Sequence, residues 1–168
     1  MKIILTGSLG NISKPLATAL IAQGHSVTII SRNAGRIENI GAVAAIGTVN
    51  DIDFLITTFK GAEIVYLMEP PIDFFDKITD TEKYGLGIAR NYSEAIQKTG
   101  VTKVIHLSSI GGHTDQGVGM LATHHLVENI LKELPDNVAI KTMRPVGFYH
   151  NMLAFTGAIK NAGKVFQN

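Results

Sequence analysis

The chain has 168 residues, 45% apolar and 17% charged, which suits one domain with a substantial core and disfavours a disordered or coiled-coil chain. Fifteen Lys and Arg against fourteen Asp and Glu leave +1, so no strong field argues for nucleic acid. The absence of cysteine excludes a disulfide scaffold, thiol catalysis and Cys-ligated zinc or iron–sulfur sites, and fits a reducing compartment.

From the start, Met1-Lys2-Ile3-Ile4-Leu5 reaches Thr6-Gly7 too soon for a signal-peptide core. No apolar run further on approaches the roughly 20 residues of a membrane helix. A soluble cytoplasmic protein is expected. Short apolar runs then alternate with helical patterns. Strands are predicted at Ile3-Ile4-Leu5, Val27–Ile30, Ala42–Ile46, Ile64–Met68, Lys103–Leu107 and Val138–Met143. Most are continuous apolar stretches rather than alternations, as for strands covered on both faces.

Helices are predicted between them. Leu16, Leu20 and Ile21 form one stripe, stopped at Gln23-Gly24. Asp51–Phe59 is a second helix, capped by Asp51 and closed by Lys60-Gly61. Tyr84, Ile88, Tyr92 and Ile96 recur at i+4 up to Gly100, and Leu126 to Leu134 form a fourth stripe before Pro135. A last helix is expected from about Tyr149 to Asn161. Strand–helix alternation of this kind implies a doubly wound α/β fold with a parallel sheet, in one domain over residues 1–168.

The first turn carries the first chemical signal. Gly7-Ser8-Leu9-Gly10-Asn11-Ile12-Ser13 follows a strand and opens a helix. Glycines there let the backbone approach a pyrophosphate, whose charge sits against unpaired helix N-terminal amides. Gly7, Ser8, Leu9, Gly10, Asn11 and Ile12 are therefore the candidate dinucleotide-binding residues. Ser13 replaces the usual third small residue with little added bulk, and Pro15 is tolerated in a first helical turn.

The second strand ends in Ser31-Arg32-Asn33, about twenty residues beyond the turn, where an NAD site would place Asp or Glu on the ribose. A guanidinium at Arg32, with Arg36 nearby, pairs with a 2′-phosphate instead. NADP(H) is expected in preference to NAD(H).

These motifs, with Phe59-Lys60-Gly61-Ala62, Val65–Pro71, Leu107–His113 and Arg144–Asn151, resemble NmrA-like proteins, atypical short-chain dehydrogenases/reductases with a Rossmann fold. The resemblance runs in order through nearly the whole chain. It implies NAD(P) binding and either reduction of a small acceptor such as a quinone or a redox-sensing role without turnover. A sugar-nucleotide epimerase or dehydratase is a third alternative. It further implies that Thr48 stands where many members place an adenine-contacting Asp. Met68, Glu69, Pro70 and Pro71 stand in the loop passing the nicotinamide.

The same resemblance exposes a catalytic departure. Active members use a Ser after the fifth strand, then Tyr-x-x-x-Lys, with Glu four residues beyond the Lys in many. Ser109, or its neighbour Ser108, matches the Ser; aligning Glu128 puts His124 at the Lys position and Met120 at the Tyr position. Met has no ionisable proton and neutral His is no permanent cation, so Tyr-dependent carbonyl chemistry, on which the epimerases rely, is not expected. Ser109 and His124 remain as candidate catalytic residues.

Of the adjacent His124 and His125, register with Glu128 favours His124 for the cofactor side. His113, His124 and His125 lack an inward carboxylate at ligand spacing and are not read as a metal site. His106, inside a strand, reads as a satisfied core or face residue, and Arg144 as bracing a loop through carbonyls or reaching a substrate.

Gly85 and Gly87 lie inside one helix, where each costs about 1 kcal/mol relative to Ala, so a close contact is expected to compensate. The resemblance implies a homodimer through this helix and the next. Family members also continue beyond the length seen here, which ends at Gln167-Asn168, so the C-terminal substrate region is expected to be missing or truncated.

Overall fold

Six parallel strands form one sheet: β1 (Lys2–Leu5), β2 (Ser26–Ser31), β3 (Val43–Ile46), β4 (Ile64–Leu67), β5 (Lys103–Leu107) and β6 (Ala139–Met143). Their spatial order is β3-β2-β1-β4-β5-β6, so the sheet is wound outward in both directions from β1 and β4. The computed structural model describes residues 1–37, 40–70 and 80–164.

Among the described residues, five α-helices connect or follow the strands: α1 (Ser13–Ala22), α2 (Ile52–Phe59), α3 (Thr81–Thr99), α4 (Ala122–Lys132) and α5 (Thr156–Ala162). The stripe Leu16, Leu20 and Ile21 lays α1 on one sheet face, over Ile3, Leu5, Val27 and Ile29. On the other face α2, α3 and α4 bury Leu55, Phe59, Ile88, Tyr92, Val127 and Leu131 against the sheet. The central helices α2 and α3 have local end signals. The Asp51 carboxylate accepts from Phe54 N–H at 3.0 Å and that of Asp80 from Lys83 N–H at 3.0 Å, capping α2 and α3. Gly100, at φ +70°, turns the chain out of α3 in the left-handed region where a Cβ is penalised.

The two edge strands correct the expectation of strands covered on both faces. Val43 and Ile46 of β3 are 59% and 50% exposed, and Ala139, Lys141 and Met143 of β6 face outward. Their apolar runs match those of the central strands, but among the described residues the helices leave these side chains uncovered. The expected helix from Tyr149 also differs. It starts as a 3₁₀ segment over Tyr149–Phe155 and becomes α-helical only at Thr156. No side-chain cap and no buried residue fixes its first turns.

The glycine pair of α3 divides. A Cβ on Gly85 would stand 2.9 Å from Thr123 Cγ2, so glycine lets α3 approach α4 closely there. At Gly87 no such atom lies within 4 Å.

Candidate functional site

The strand order reverses between β1 and β4, and the carboxyl ends of β1, β4, β5 and β6 open there into a cleft of about 720 Å³. In doubly wound sheets this crevice is where ligands bind, because the loops from neighbouring strands diverge to opposite faces.

The glycine-rich turn forms one wall. Ser8, Gly10, Asn11, Ile12 and Ser13 border the cleft, while Leu9 packs inward beneath the turn. A Cβ on Gly7 would overlap the terminal methyl of Met68 and stand 2.8 Å from Ser13 Oγ, so a larger residue there would have to push both side chains aside. Beside Gly10, no atom lies nearer than 3.9 Å to a Cβ position, leaving room against the backbone. α1 has no side-chain cap, and among the described residues no backbone hydrogen bond uses the amides of 8–13; the first to pair is Lys14 N–H, with Gly10 O at 3.1 Å. Free amides at a helix N-terminus, next to an open backbone, fit a diphosphate.

Toward the outer strands, Ser8 Oγ lies 3.4 Å from Ser31 Oγ, tying the turn to the end of β2. Ser31 also accepts from Asn33 N–H, and Asn33 caps the next turn through Gly35 N–H. Arg32 is exposed, and among the described residues no carboxylate pairs with it. Thr48 is half-buried, its hydroxyl accepting from Asn50 N–H at 3.3 Å, and among the described residues its own proton has no acceptor. Asp51 is spent on capping α2. Pro71 and the side chain of Arg36 lie outside the described residues.

Met68, Glu69 and Pro70 leave β4 along the cleft floor. Met68 is fixed by its backbone: its N–H donates to Thr6 Oγ1 at 2.9 Å, and its carbonyl accepts from Tyr92 Oη at 2.8 Å. Burial raises the Tyr92 hydroxyl far above its ordinary value, so it remains a permanent donor. Glu69 borders the cleft with its side chain 12% exposed. His106 of β5, fully buried, places Nε2 at 3.2 and 3.4 Å from the two Glu69 oxygens. Its Nδ1 has no partner among the described residues, so His106 is not the satisfied core residue expected.

The opposite wall comes from β5 and α4. Ser108, Ser109 and His124 all border the cleft. Ser108 Oγ donates to Glu128 Oε1 at 2.6 Å, and Arg144 grips the same buried carboxylate with Nε at 2.8 Å and with Nη2. Burial alone would raise the Glu128 carboxyl, but the Arg144 and Ser108 hydrogen bonds outweigh it and hold it below its usual range. Arg144 thus pairs with a carboxylate rather than bracing carbonyls. Ser108 is committed to that cluster, whereas Ser109 is half-buried at the cleft. His125 turns away, its Nδ1 3.2 Å from Gly112 O and its Nε2 3.0 Å from Asn129 Nδ2. Burial lowers the His124 imidazole from its ordinary value, with Glu69 opposing and His106 adding to the shift.

Val146, Phe148, Tyr149, His150 and Asn151 complete the far wall, and Met120 forms part of its rim. Sequence reasoning assigned none of them a site role. The motif around Arg144–Asn151 was the available signal, because a segment leaving the last strand at its carboxyl end must pass the crevice.

The fold and this crevice define a dinucleotide-binding α/β domain. A model of the NAD(P)H-binding family matches residues 7–142, and the chain belongs to that family. No curated protein matches the sequence. Similar solved structures include a nucleoside-diphosphate-sugar epimerase from Staphylococcus aureus, 16% identical over 99% of this chain and 58% of that one, with a TM-score of 0.81. An NADPH-dependent quinone oxidoreductase from Escherichia coli, complexed with NADPH, is 18% identical over 96% of this chain and 54% of that one, TM-score 0.77. The Bordetella bronchiseptica enzyme WbmG, in complex with NAD, is 17% identical over 86% and 52%, TM-score 0.70. The chain spans between 50% and 58% of the length of the first structures it matches. Among the described residues no helix is long and apolar enough to cross a membrane.

Proposed function

We propose that this chain is the cofactor-binding part of an NmrA-like, NADPH-dependent oxidoreductase that reduces a small, flat acceptor such as a quinone. One observation carries the reading: a single cleft joins the phosphate-binding turn to Ser109 and His124 and continues along an apolar wall of Leu107, Val127, Val146 and Phe148. When bound, NADPH supplies the hydride. The amides of residues 8–13 hold the diphosphate, Arg32 faces the 2′-phosphate and Thr48 the adenine. Ser109 orients the acceptor oxygen, and His124 or a water gives it a proton. A quinone accepts hydride readily, so positioning and exclusion of water are the main demands on the protein.

Met120, 64% exposed where active relatives carry Tyr, favours a second reading. In it, the domain senses the NADP⁺/NADPH ratio and changes its affinity for a protein partner. Steady-state NADPH oxidation against a panel of benzo- and naphthoquinones decides between them. Turnover supports the reductase; tight NADPH binding with no turnover on any quinone supports the sensor. A homodimer through α3 and α4 belongs to the same proposal, and sedimentation across concentrations tests it.

A further inference from the structure

We infer that Asn91 and Tyr92, neighbours on α3, are positioning residues that hold the two loops facing opposite ends of the nucleotide. Which end each loop meets rests on the proposed nucleotide reading; the two clamps stand on geometry alone. The first loop leaves β3. Gly47 N–H donates to Ser31 O at 3.0 Å, which sets Thr48 beside the end of β2, where Ser31 lies 3.4 Å from Ser8 of the glycine-rich turn. Thr48 Oγ1 accepts from Asn50 N–H at 3.3 Å and Thr48 O from Asp51 N–H at 3.1 Å, bonds that shape the loop from within. Asn91 fixes it from outside. Its Nδ2 donates to Val49 O and to Asn50 O, each at 3.1 Å. Two carbonyls can be met only by the NH₂ end of the amide, so both its hydrogens are spent on consecutive residues of the loop.

The second loop leaves β4. Tyr92, fully buried, donates Oη–H to Met68 O at 2.8 Å. Thr6 Oγ1 shares that carbonyl at 3.2 Å and accepts Met68 N–H at 2.9 Å, so β1 holds the loop from one side and α3 from the other. Met68, Glu69 and Pro70 then line the cleft together with Ser109 and His124, where the proposed chemistry takes place. Consecutive helical residues point about 100° apart, which lets adjacent positions of one helix reach two separate loops. Asn91 and Tyr92 act through the loops they hold. A loop released from its clamp must be ordered by the incoming nucleotide, and that cost appears as weaker binding of the end it serves.

The test pairs variants at each clamp with two ligands. Asn91→Ser removes both donors without adding charge, and Asn91→Asp keeps the shape while turning a carboxylate toward the two carbonyls. Tyr92→Phe removes a single hydroxyl. Calorimetry uses 2′,5′-ADP, the adenosine end alone, and NADPH. N91S and N91D should each weaken both ligands by the same factor, about three- to tenfold. Y92F should weaken NADPH by a similar factor and leave 2′,5′-ADP within about twofold of wild type. In nucleotide-free protein, hydrogen exchange should quicken at the Asn50 and Asp51 amides in N91S and at the Met68 amide in Y92F, each without the other. A general loss of stability would weaken both ligands in every variant and quicken exchange at both loops, and that pattern overturns the inference. Unchanged 2′,5′-ADP binding in N91S, or unchanged NADPH binding in Y92F, overturns it as well. Wild-type protein that binds neither ligand overturns the nucleotide reading and the assignment of ends, whereas the exchange data decide the clamps independently.

Discussion

Arg144 closes over Glu128 from the end of β6, meeting both oxygens of a carboxylate that is otherwise buried beneath Ser108 and Gly112. Removing the guanidinium leaves that charge without its main partner. Because the Arg144 side chain is 39% exposed, the expected loss for Arg144→Met is about 2 kcal/mol in urea unfolding, less than the 3–5 kcal/mol of a fully buried pair. Glu128 titrates below its ordinary value of 4.5 in the folded protein, so this stability is present above that value and drains as pH falls through the lower folded one. The gap between wild type and Arg144→Met should therefore narrow in acid; a gap constant down to about pH 3 would contradict the pairing.

Arg32 is the expected selector of NADPH. A charge-assisted hydrogen bond is worth about 1.5–3 kcal/mol, so Arg32→Ala should weaken NADPH binding by roughly 10- to 100-fold in calorimetry while leaving NADH nearly unchanged. Equal losses for both nucleotides would show that Arg32 does not read the extra phosphate.

Burial lowers the His124 imidazole below its ordinary value of 6.5, so the unfolded chain takes up that proton first as the solution is acidified. Stability attached to the neutral ring is complete at neutral pH and declines below about 6.5. Replacing His124 by Gln removes this sensitivity. Between about pH 7 and pH 5 the melting temperature of H124Q should fall less than that of wild type.

Gly85 and Gly87 should answer oppositely to alanine. Gly87→Ala gains helix propensity in open space and should stabilise by about 0.5–1 kcal/mol. Gly85→Ala forces Thr123 aside, and overpacking of about 1–3 kcal/mol cancels or reverses the same gain. Loss of stability in G87A that grows with protein concentration would place a second subunit against that helix.

The features readable from sequence were those with a short-range cause. The glycine turn after Leu5, the Asp51 cap and the stop at Gly100 each follow from neighbouring residues, and the strand and helix positions from local periodicity. What escaped depends on neighbours distant along the chain. His106 and Glu69 meet because β4 and β5 are adjacent in a particular register, and no local pattern encodes that. Arg144 finds Glu128 because β6 ends beside α4. The apolar runs of β3 and β6 matched those of central strands, since hydrophobicity reports a strand but not whether a helix covers it.

That last feature bears on behaviour at high concentration. β3 is a bare outer strand reading Val43-Ala44-Ala45-Ile46, without a charge, whereas β6 carries Lys141 midway along its length. A lysine there discourages another chain from adding to the ladder, because docking would strip water from the ammonium. The sheet is guarded on one flank only, and a lysine at Ala44 would supply the missing gatekeeper.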